Sequence, residues 1–348
     1  MSSRADSATS MRLLLLALVP GAVAQTAVFG IGTLLNLSLC ALACLATEAI
    51  CLRARGHAPL QQLRDGSALL SGLLLGFALP AHGPWWLPML GGVLAIGIGK
   101  QLFGPRGQSP FNPAMVGLAL LLLCVPQEMT RWLPMIDGVS SATVLDHVRT
   151  ELYLARTLEE IFGGTRLYER GETWINLAFL FGGLWLLQQR RLPWRIPAGV
   201  LAGLALPAVV FWLGDTSLHA SPLFHLFSGS TMLGAFFIAA APPSSPRAAR
   251  AQWIYSLGIG AAVYAIRSWG EYPDGFAFAV LLFNAAAPAL DRWTTPAVDG
   301  SARNPRWALA AIALVLAATT TITSTALQQR RANALPDLAD LGFRDVVS

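Results

Sequence analysis

The chain of 348 residues is 54% hydrophobic and 12% charged, about half the roughly 25% charged share of an average soluble domain. Its formal charge of +5 comes from arginines scattered at the ends of apolar runs and one lysine, Lys100, so it lacks the basic patch that nucleic-acid binding needs. Soluble globular and nucleic-acid-binding classes are thereby excluded, and an all-α polytopic membrane protein is expected.

Arg4 and Arg12 lead into an apolar run with no A-x-A-like cleavage site behind it, which predicts a first transmembrane helix rather than a removed signal. No charge occurs between Arg12 and Glu48, and Gly30-Ile31-Gly32 divides that interval into two helices joined by a tight turn. Cys40 and Cys44 share a face of the second helix. No C-x-x-C spacing supports a metal or iron–sulfur cluster, so they read as small apolar residues in lipid, and no metal site is expected. Asp65 to Lys100 gives a second pair, broken at "PAHGPWW". Single spans follow in the intervals Arg106–Glu128, Glu172–Arg190, Arg195–Asp215, Asp215–Arg247, Arg250–Arg267, Asp274–Asp291 and Arg306–Arg330. Since a helix needs about 20 apolar residues to cross the hydrocarbon, the expectation is ten transmembrane helices plus one extra C-terminal helix. Four regions result: a first membrane half (1–127), a polar loop (128–172), a second membrane half (173–293), and a linker, extra helix and tail (294–348).

Basic residues then set the orientation. With the N-terminus cytoplasmic, 15 of the 24 basic residues fall inside. The long loop falls outside, with eight acids against five arginines between Glu128 and Glu172.

Two stretches look alike. "DGSALLSGLLLGFALP" (65–80) aligns Gly66, Ser67, Leu70 and Pro80 with Gly229, Ser230, Leu233 and Pro243 of "SGSTMLGAFFIAAAPP" (228–243). One copy starts inside and the other outside, as an inverted-topology repeat would. Each is followed by a polar helix entrance. Asn112 before Pro113 reads as an N-cap, and Asp274 before Gly275 is placed to do the same for the next helix. Such entrances also suit a cofactor or ion at the repeat interface.

The outer loop holds "MIDGVSSATVLDHV", a hydroxyl cluster behind an Asp-Gly turn. On spacing alone it is a helix start, with Thr143 or Ser140 as cap and Asp146 three residues past Thr143. His147 adjoins Asp146, but sequence neighbours point apart on a helix and make a poor base pair.

The sequence resembles the D subunit of the Rnf-type ion-translocating electron-transport complex and, more distantly, the B subunit of the sodium-pumping NADH:quinone reductase. The likeness runs from about Met11 to Trp293. It rests on "SALLSGLLLGFALP", "GKQLFGPRGQSPFNPAMVG", "SGSTMLGAFFIAAAPPSSP", "GEYPDGFAFAVLLFNAAAP" and the hydroxyl loop. Family members carry an aspartate and then a Ser-x-A-T sequence on whose threonine a dedicated transferase esterifies FMN. Asp137, Ser140 and Thr143 stand at those places, with Ser141 where Gly is common. The resemblance therefore implies covalent FMN on Thr143, a flavin transferase acting outside the bacterial inner membrane, and no catalytic site complete within this chain. It also implies partner subunits on the ferredoxin and NAD sides, one of them a second threonine-flavinylated subunit. The chain itself has no G-x-G-x-x-G after a strand for a nicotinamide. A non-covalent riboflavin is implied in the helical body, near Asn112 and Ser109, the latter replacing an asparagine of the pump's B subunit.

One departure concerns coupling. The family reads F-F-x-x-T-D-P where this chain has "FFIAAAPP", so Ala240 and Ala241 replace Thr and Asp. An acid costs about 2.5–3.5 kcal/mol at a membrane helix centre and normally implies function. With it missing, Asp274 is the acid left closest to the repeat interface, either a cap or an ion-coupling residue. The competing classes are an inverted-repeat transporter or channel without a redox cofactor, and a structural subunit of the complex. The orientation is testable: a reporter fused after Leu154 is expected to read non-cytoplasmic and one after Arg191 cytoplasmic, and swapped readouts would overturn it.

Overall fold

Glycine and proline interrupt the apolar runs, and the helices begin and end accordingly. The computed structural model describes residues 2–59, 63–102, 109–129, 166–214, 219–241, 244–270 and 274–294, and only the backbone of 2–8 and 166–170. The hydroxyl loop and the expected C-terminal span Trp307–Gln328 lie outside these residues. Among the described residues every regular element is helical, with no strand.

Helices α1 (Ser2–Ala17) and α2 (Val19–Phe29) form the first crossing and turn into α3 (Gly32–Ala54). Gly30 makes that turn at φ 84°, a left-handed conformation that side chains resist. Next come α4 (Ser67–Phe77), α5 (Trp86–Ile96) with a π-helical turn Gly97–Gln101, and α6 (Pro113–Cys124). The second half holds α7 (Arg166–Gln188), α8 (Arg195–Gly214), the short α9 (Pro222–Phe227), and α10 (Thr231–Leu233) running into a π-helical turn Gly234–Ile238. It ends with α11 (Ala249–Trp269) and α12 (Phe276–Thr294). The eight charge-free intervals of the main body each hold the one or two apolar helical segments expected of them.

These segments differ in reach. Thr9–Phe29, Gly32–Ala54 and Arg195–Gly214 are long and apolar enough to cross a membrane. By contrast α4 has 11 residues, about 16 Å at 1.5 Å per residue, against a hydrocarbon core of about 30 Å. The α10 segment with its π turn is shorter still. Both copies of the repeat are therefore broken helices. Each begins alike: Gly66 (φ 74°) and Gly229 (φ 59°) are left-handed, and each precedes the aligned serine.

The halves meet where α2 packs on α7 and α6 on α12. At the seam Phe179 of α7 stands edge-on between Phe77 of α4 and Phe237 of the second broken helix, with ring centroids 5.2 and 6.0 Å away. Within the second half, α8 and α11 touch backbone to backbone. Lipid supplies no hydrophobic drive for such contacts, so small residues that permit close approach decide them. A Cβ on Gly203 would lie 2.2 Å from the Leu257 carbonyl oxygen, and one on Gly260 would lie 2.2 Å from that of Val200. Gly203→Val or Gly260→Val must push the two helices apart, at about 1–3 kcal/mol. The unfolding temperature in detergent is expected to fall for both, but not for Gly97→Ala, whose Cβ would meet nothing within 4 Å. Equal behaviour of all three would refute this packing account.

Candidate functional site

A helix that stops inside an apolar body leaves amides at its start and carbonyls at its end without partners, and lipid offers none. Side chains from other elements meet these groups here. At the end of α4, Gln25 donates to the Phe77 carbonyl at 2.9 Å and Asn36 to that of Pro80 at 2.8 Å. At the end of the second broken helix, Asn112 donates to the Ile238 carbonyl at 3.2 Å and the Tyr255 hydroxyl to that of Ala239 at 3.3 Å. Asn112 also caps α6, as its place before Pro113 predicts, accepting from the Ala114 amide at 3.0 Å.

Asn112 belongs to a buried network between the halves. The fully buried Asn284 accepts from the Asn112 amide at 3.0 Å with its side-chain oxygen. Its nitrogen donates to Ser244 O at 3.2 Å and to the Tyr255 hydroxyl at 2.7 Å. Ser109, also buried, accepts from the Phe111 amide at 3.1 Å. Ala240 and Ala241 line the same buried region, and Ser244 donates to the Ala241 carbonyl at 3.0 Å. Ser109 and Asn112 are therefore together at one helix entrance. Among the described residues, Asn112 keeps a second amide hydrogen and Ser109 its hydroxyl proton for a further acceptor.

The starts of the broken helices are held by charge. In the second half Asp274 accepts from both the amide and the hydroxyl of Ser230, the amide at 2.9 Å. The other Asp274 oxygen pairs with Arg267 at 3.2 Å. Arg267 is buried and also donates to His225 O at 2.9 Å and Thr231 Oγ1 at 3.0 Å. Glu172 accepts from the Gly229 amide at 2.8 Å, and Asn176 accepts from the Met232 amide at 3.0 Å. The sequence offers Asp274 as a cap of α12 or as an ion-coupling residue. In the structure it secures the start of the second broken helix, 44 residues earlier, with both oxygens engaged.

The first half repeats this construction. Asp65 accepts from the amide and hydroxyl of Ser67 at 2.8 and 2.7 Å. Lys100, from the π turn, donates to Ser67 Oγ at 2.7 Å and pairs with Glu48 of α3 at 2.5 Å. Sequence reasoning missed this pair. Glu48 marks only the end of a charge-free interval there, and the one signal available is that Lys100 is the sole lysine.

Cys40 and Cys44 are fully buried, and their thiols donate to the carbonyls of Pro88 at 3.3 Å and Gly92 at 3.6 Å. Both therefore pack against α5 as small buried residues. Thr143, Asp137 and Ser140 lie outside the described residues. Just past the loop that carries them, a cavity of about 280 Å³ is lined by Glu172, Thr173, Ser221, Phe224, Phe227 and Ser228.

Apolar helices, two of them broken and secured by buried polar side chains, define an integral multi-pass membrane protein. Comparison with known proteins goes one step further. The model of the NQR2, RnfD, RnfE family matches residues 1–300. A Pseudomonas aeruginosa (strain PAO1) protein, named as the D subunit of an ion-translocating oxidoreductase complex, is 46% identical over 320 residues, covering 85% of this chain and 92% of that one. Proteins of the same name from Alcanivorax borkumensis and Aeromonas hydrophila are 43% and 41% identical over 314 and 339 residues. They cover 83% and 86% of this chain, and 92% and 97% of their own lengths. The chain belongs to the NQR2, RnfD, RnfE family.

The second-half clamp is testable. Asp274→Ala leaves Arg267 buried without its carboxylate, a loss of about 3–5 kcal/mol for a broken buried pair, discounted here because the Asp274 side chain is 28% exposed. A clear drop in thermal stability is expected, with Asp274→Asn intermediate. An Asp274→Asn protein of wild-type stability that has lost ion dependence would instead assign Asp274 to coupling.

Proposed function

We propose that this chain is the flavin-carrying membrane component of an ion-translocating oxidoreductase complex. It passes electrons between ferredoxin-side and NAD-side partner subunits while a cation crosses the bacterial inner membrane. The observation that carries this is the match along residues 1–300, with relatives 41–46% identical that are named as the D subunit of such a complex. The repeated, charge-secured broken helices agree with it, since discontinuous helices are where membrane transport proteins place ion sites.

On this reading Thr143 is the FMN anchor, with Asp137 and Ser140 as its flanking polar residues, and a flavin transferase loads it outside the membrane. A phosphate ester on a loop threonine holds the cofactor in place without a deep pocket for a dianion. When bound, the flavin supplies the capacity to take and give single electrons, and the protein positions and tunes it. The cavity beside Glu172 has aromatic walls, Phe224 and Phe227, and hydroxyls at Ser221 and Ser228. That lining suits a planar ring with polar edges. A riboflavin at the Asn112 entrance is compatible with the donors that Asn112 and Ser109 retain, which suit carbonyl acceptors. The N-terminus is cytoplasmic on this proposal, and the Thr143 loop faces the periplasm.

The test is fluorescence of the denatured chain in a gel under ultraviolet light. Wild type and Ser141→Gly are expected to glow. Thr143→Ala is expected to be dark while still inserting, since a lost cap costs only about 0.5–2 kcal/mol. A fluorescent Thr143→Ala band would remove the anchor assignment. A dark wild-type band from cells that express the transferase would favour a transporter without a flavin.

A further inference from the structure

The Glu48–Lys100 pair has no part in the proposed flavin chemistry. Its side chains are 4% and 8% exposed, and it joins three elements: α3, the start of α4 and the π turn after α5. Glu48 lies six residues before the end of α3, about 9 Å along the helix axis. One oxygen of Glu48 accepts from Lys100, but the second, Oε2, is buried with no hydrogen-bond partner among the described residues. A buried carboxylate oxygen without a donor costs energy unless something is there to meet it. Ser67 is oriented by its neighbours. It donates its hydroxyl proton to Asp65, so an oxygen lone pair faces the ammonium. The Glu48 carboxylate and Oγ of Ser67 thus converge on one positive charge.

The backbone around Lys100 is fixed by a neighbour, while its own side chain ends in two bonds, to Glu48 and Ser67. Arg55 grips the next residue, donating to Gln101 Oε1 at 2.6 Å and to Gln101 O at 2.8 Å. π-helical turns like the one carrying Lys100 occur often at functional sites. Among the described residues, Asp65 and the Cys44 thiol are the other titratable groups near the pair, and Cys44 bonds Gly92 O at 3.6 Å. The second half holds the corresponding place with Arg267. A guanidinium keeps its proton and is locked as a fork on three acceptors, whereas an ammonium is a compact point charge on a flexible stem.

We propose that Glu48 and Ser67 form a monovalent-cation site in which the Lys100 ammonium is a tethered occupant, displaced by the translocated ion. Either Na⁺ takes the oxygens, or a proton binds Glu48 as Lys100 withdraws. In both cases one positive charge replaces another at Glu48, and the displaced ammonium turns to Asp65, the exposed carboxylate bonded to Ser67, so no isolated charge is left buried. The proposal rests on the ion-translocation part of the function above and not on its flavin.

The experiment uses the whole complex in proteoliposomes. Redox-driven transport is titrated with Na⁺ at fixed pH, and with pH in Na⁺-depleted buffer. Lys100→Met removes the competitor, so the half-saturating cation level is expected to fall at least about tenfold in one titration, the scale of effect when a buried charge loses its partner. The arm that shifts identifies the ion. Glu48→Gln is expected to abolish the saturable response while in-gel flavin fluorescence is unchanged. The neutral double variant Glu48→Gln/Lys100→Met is expected to assemble and to behave as Glu48→Gln does. If Lys100→Met does not assemble, the two Glu48→Gln proteins decide. A saturable response retained in either of them, or an unshifted half-saturation in an assembled Lys100→Met, overturns the site. A wild type that glows under ultraviolet but shows no Glu48 dependence would sink this proposal alone. A dark wild type with the expected shifts would sink the flavin reading alone.

Discussion

The constraint on which this fold depends is that broken backbone must be satisfied from within. Lipid cannot hydrogen-bond an exposed amide or carbonyl, yet α4 and the α10 segment both stop short of a full crossing. Their ends are met by side chains brought from far away in sequence: Gln25 and Asn36 for one, Asn112 and Tyr255 for the other. Several of the buried polar side chains among the described residues are therefore fittings of these two breaks. The breaks in turn place amide, hydroxyl and carboxylate groups inside the molecule.

The two halves solve the same problem with different chemistry. In each, a left-handed glycine precedes a serine whose amide and hydroxyl bind one carboxylate oxygen, and a buried cation binds a hydroxyl of the same turn. A short stretch of similar sequence thus becomes a shared three-dimensional device, which composition alone cannot produce. The cation differs, lysine in one half and arginine in the other, and so does the origin of the serine's carboxylate. Asp65 is local to Ser67, whereas Asp274 arrives from the entrance of α12. The second arrangement ties two elements together and leaves its carboxylate no spare oxygen.

Much of the fold was legible because charge is costly in lipid and glycine marks turns that other residues resist. A charge-free interval marks a crossing, and Gly30 marks the turn within one because only glycine takes φ 84° without strain. The Asn112 cap was readable from Asn before Pro, a purely local signal. What sequence could not supply was partnership at long range. Glu48 and Lys100 lie 52 residues apart, and neither sits in a motif, so a buried ion pair looked like two interval boundaries. The long-range partners of Asp274 were hidden for the same reason. Its position suggested the helix it precedes, but its partners are the amide and hydroxyl of Ser230 and the fork of Arg267.

Ala240 and Ala241, where the resemblance places Thr-Asp, have surroundings that bear on that difference. Both alanines are buried, so an acid there would need a partner within reach. Among the described residues, the hydroxyls, carbonyls and amides nearby are bonded to one another: Tyr255 to Ala239, Ser244 to Ala241, Asn284 to Ser244 and Asn112. A carboxylate placed among them would bear its desolvation cost unless it broke into these bonds or took the spare amide hydrogen of Asn112. Alanine at these positions is therefore consistent with its surroundings, in which neutral hydrogen bonds close the seam between the halves. If this chain handles a charged species inside its helices, the starts of the two broken helices are where its own charges are gathered.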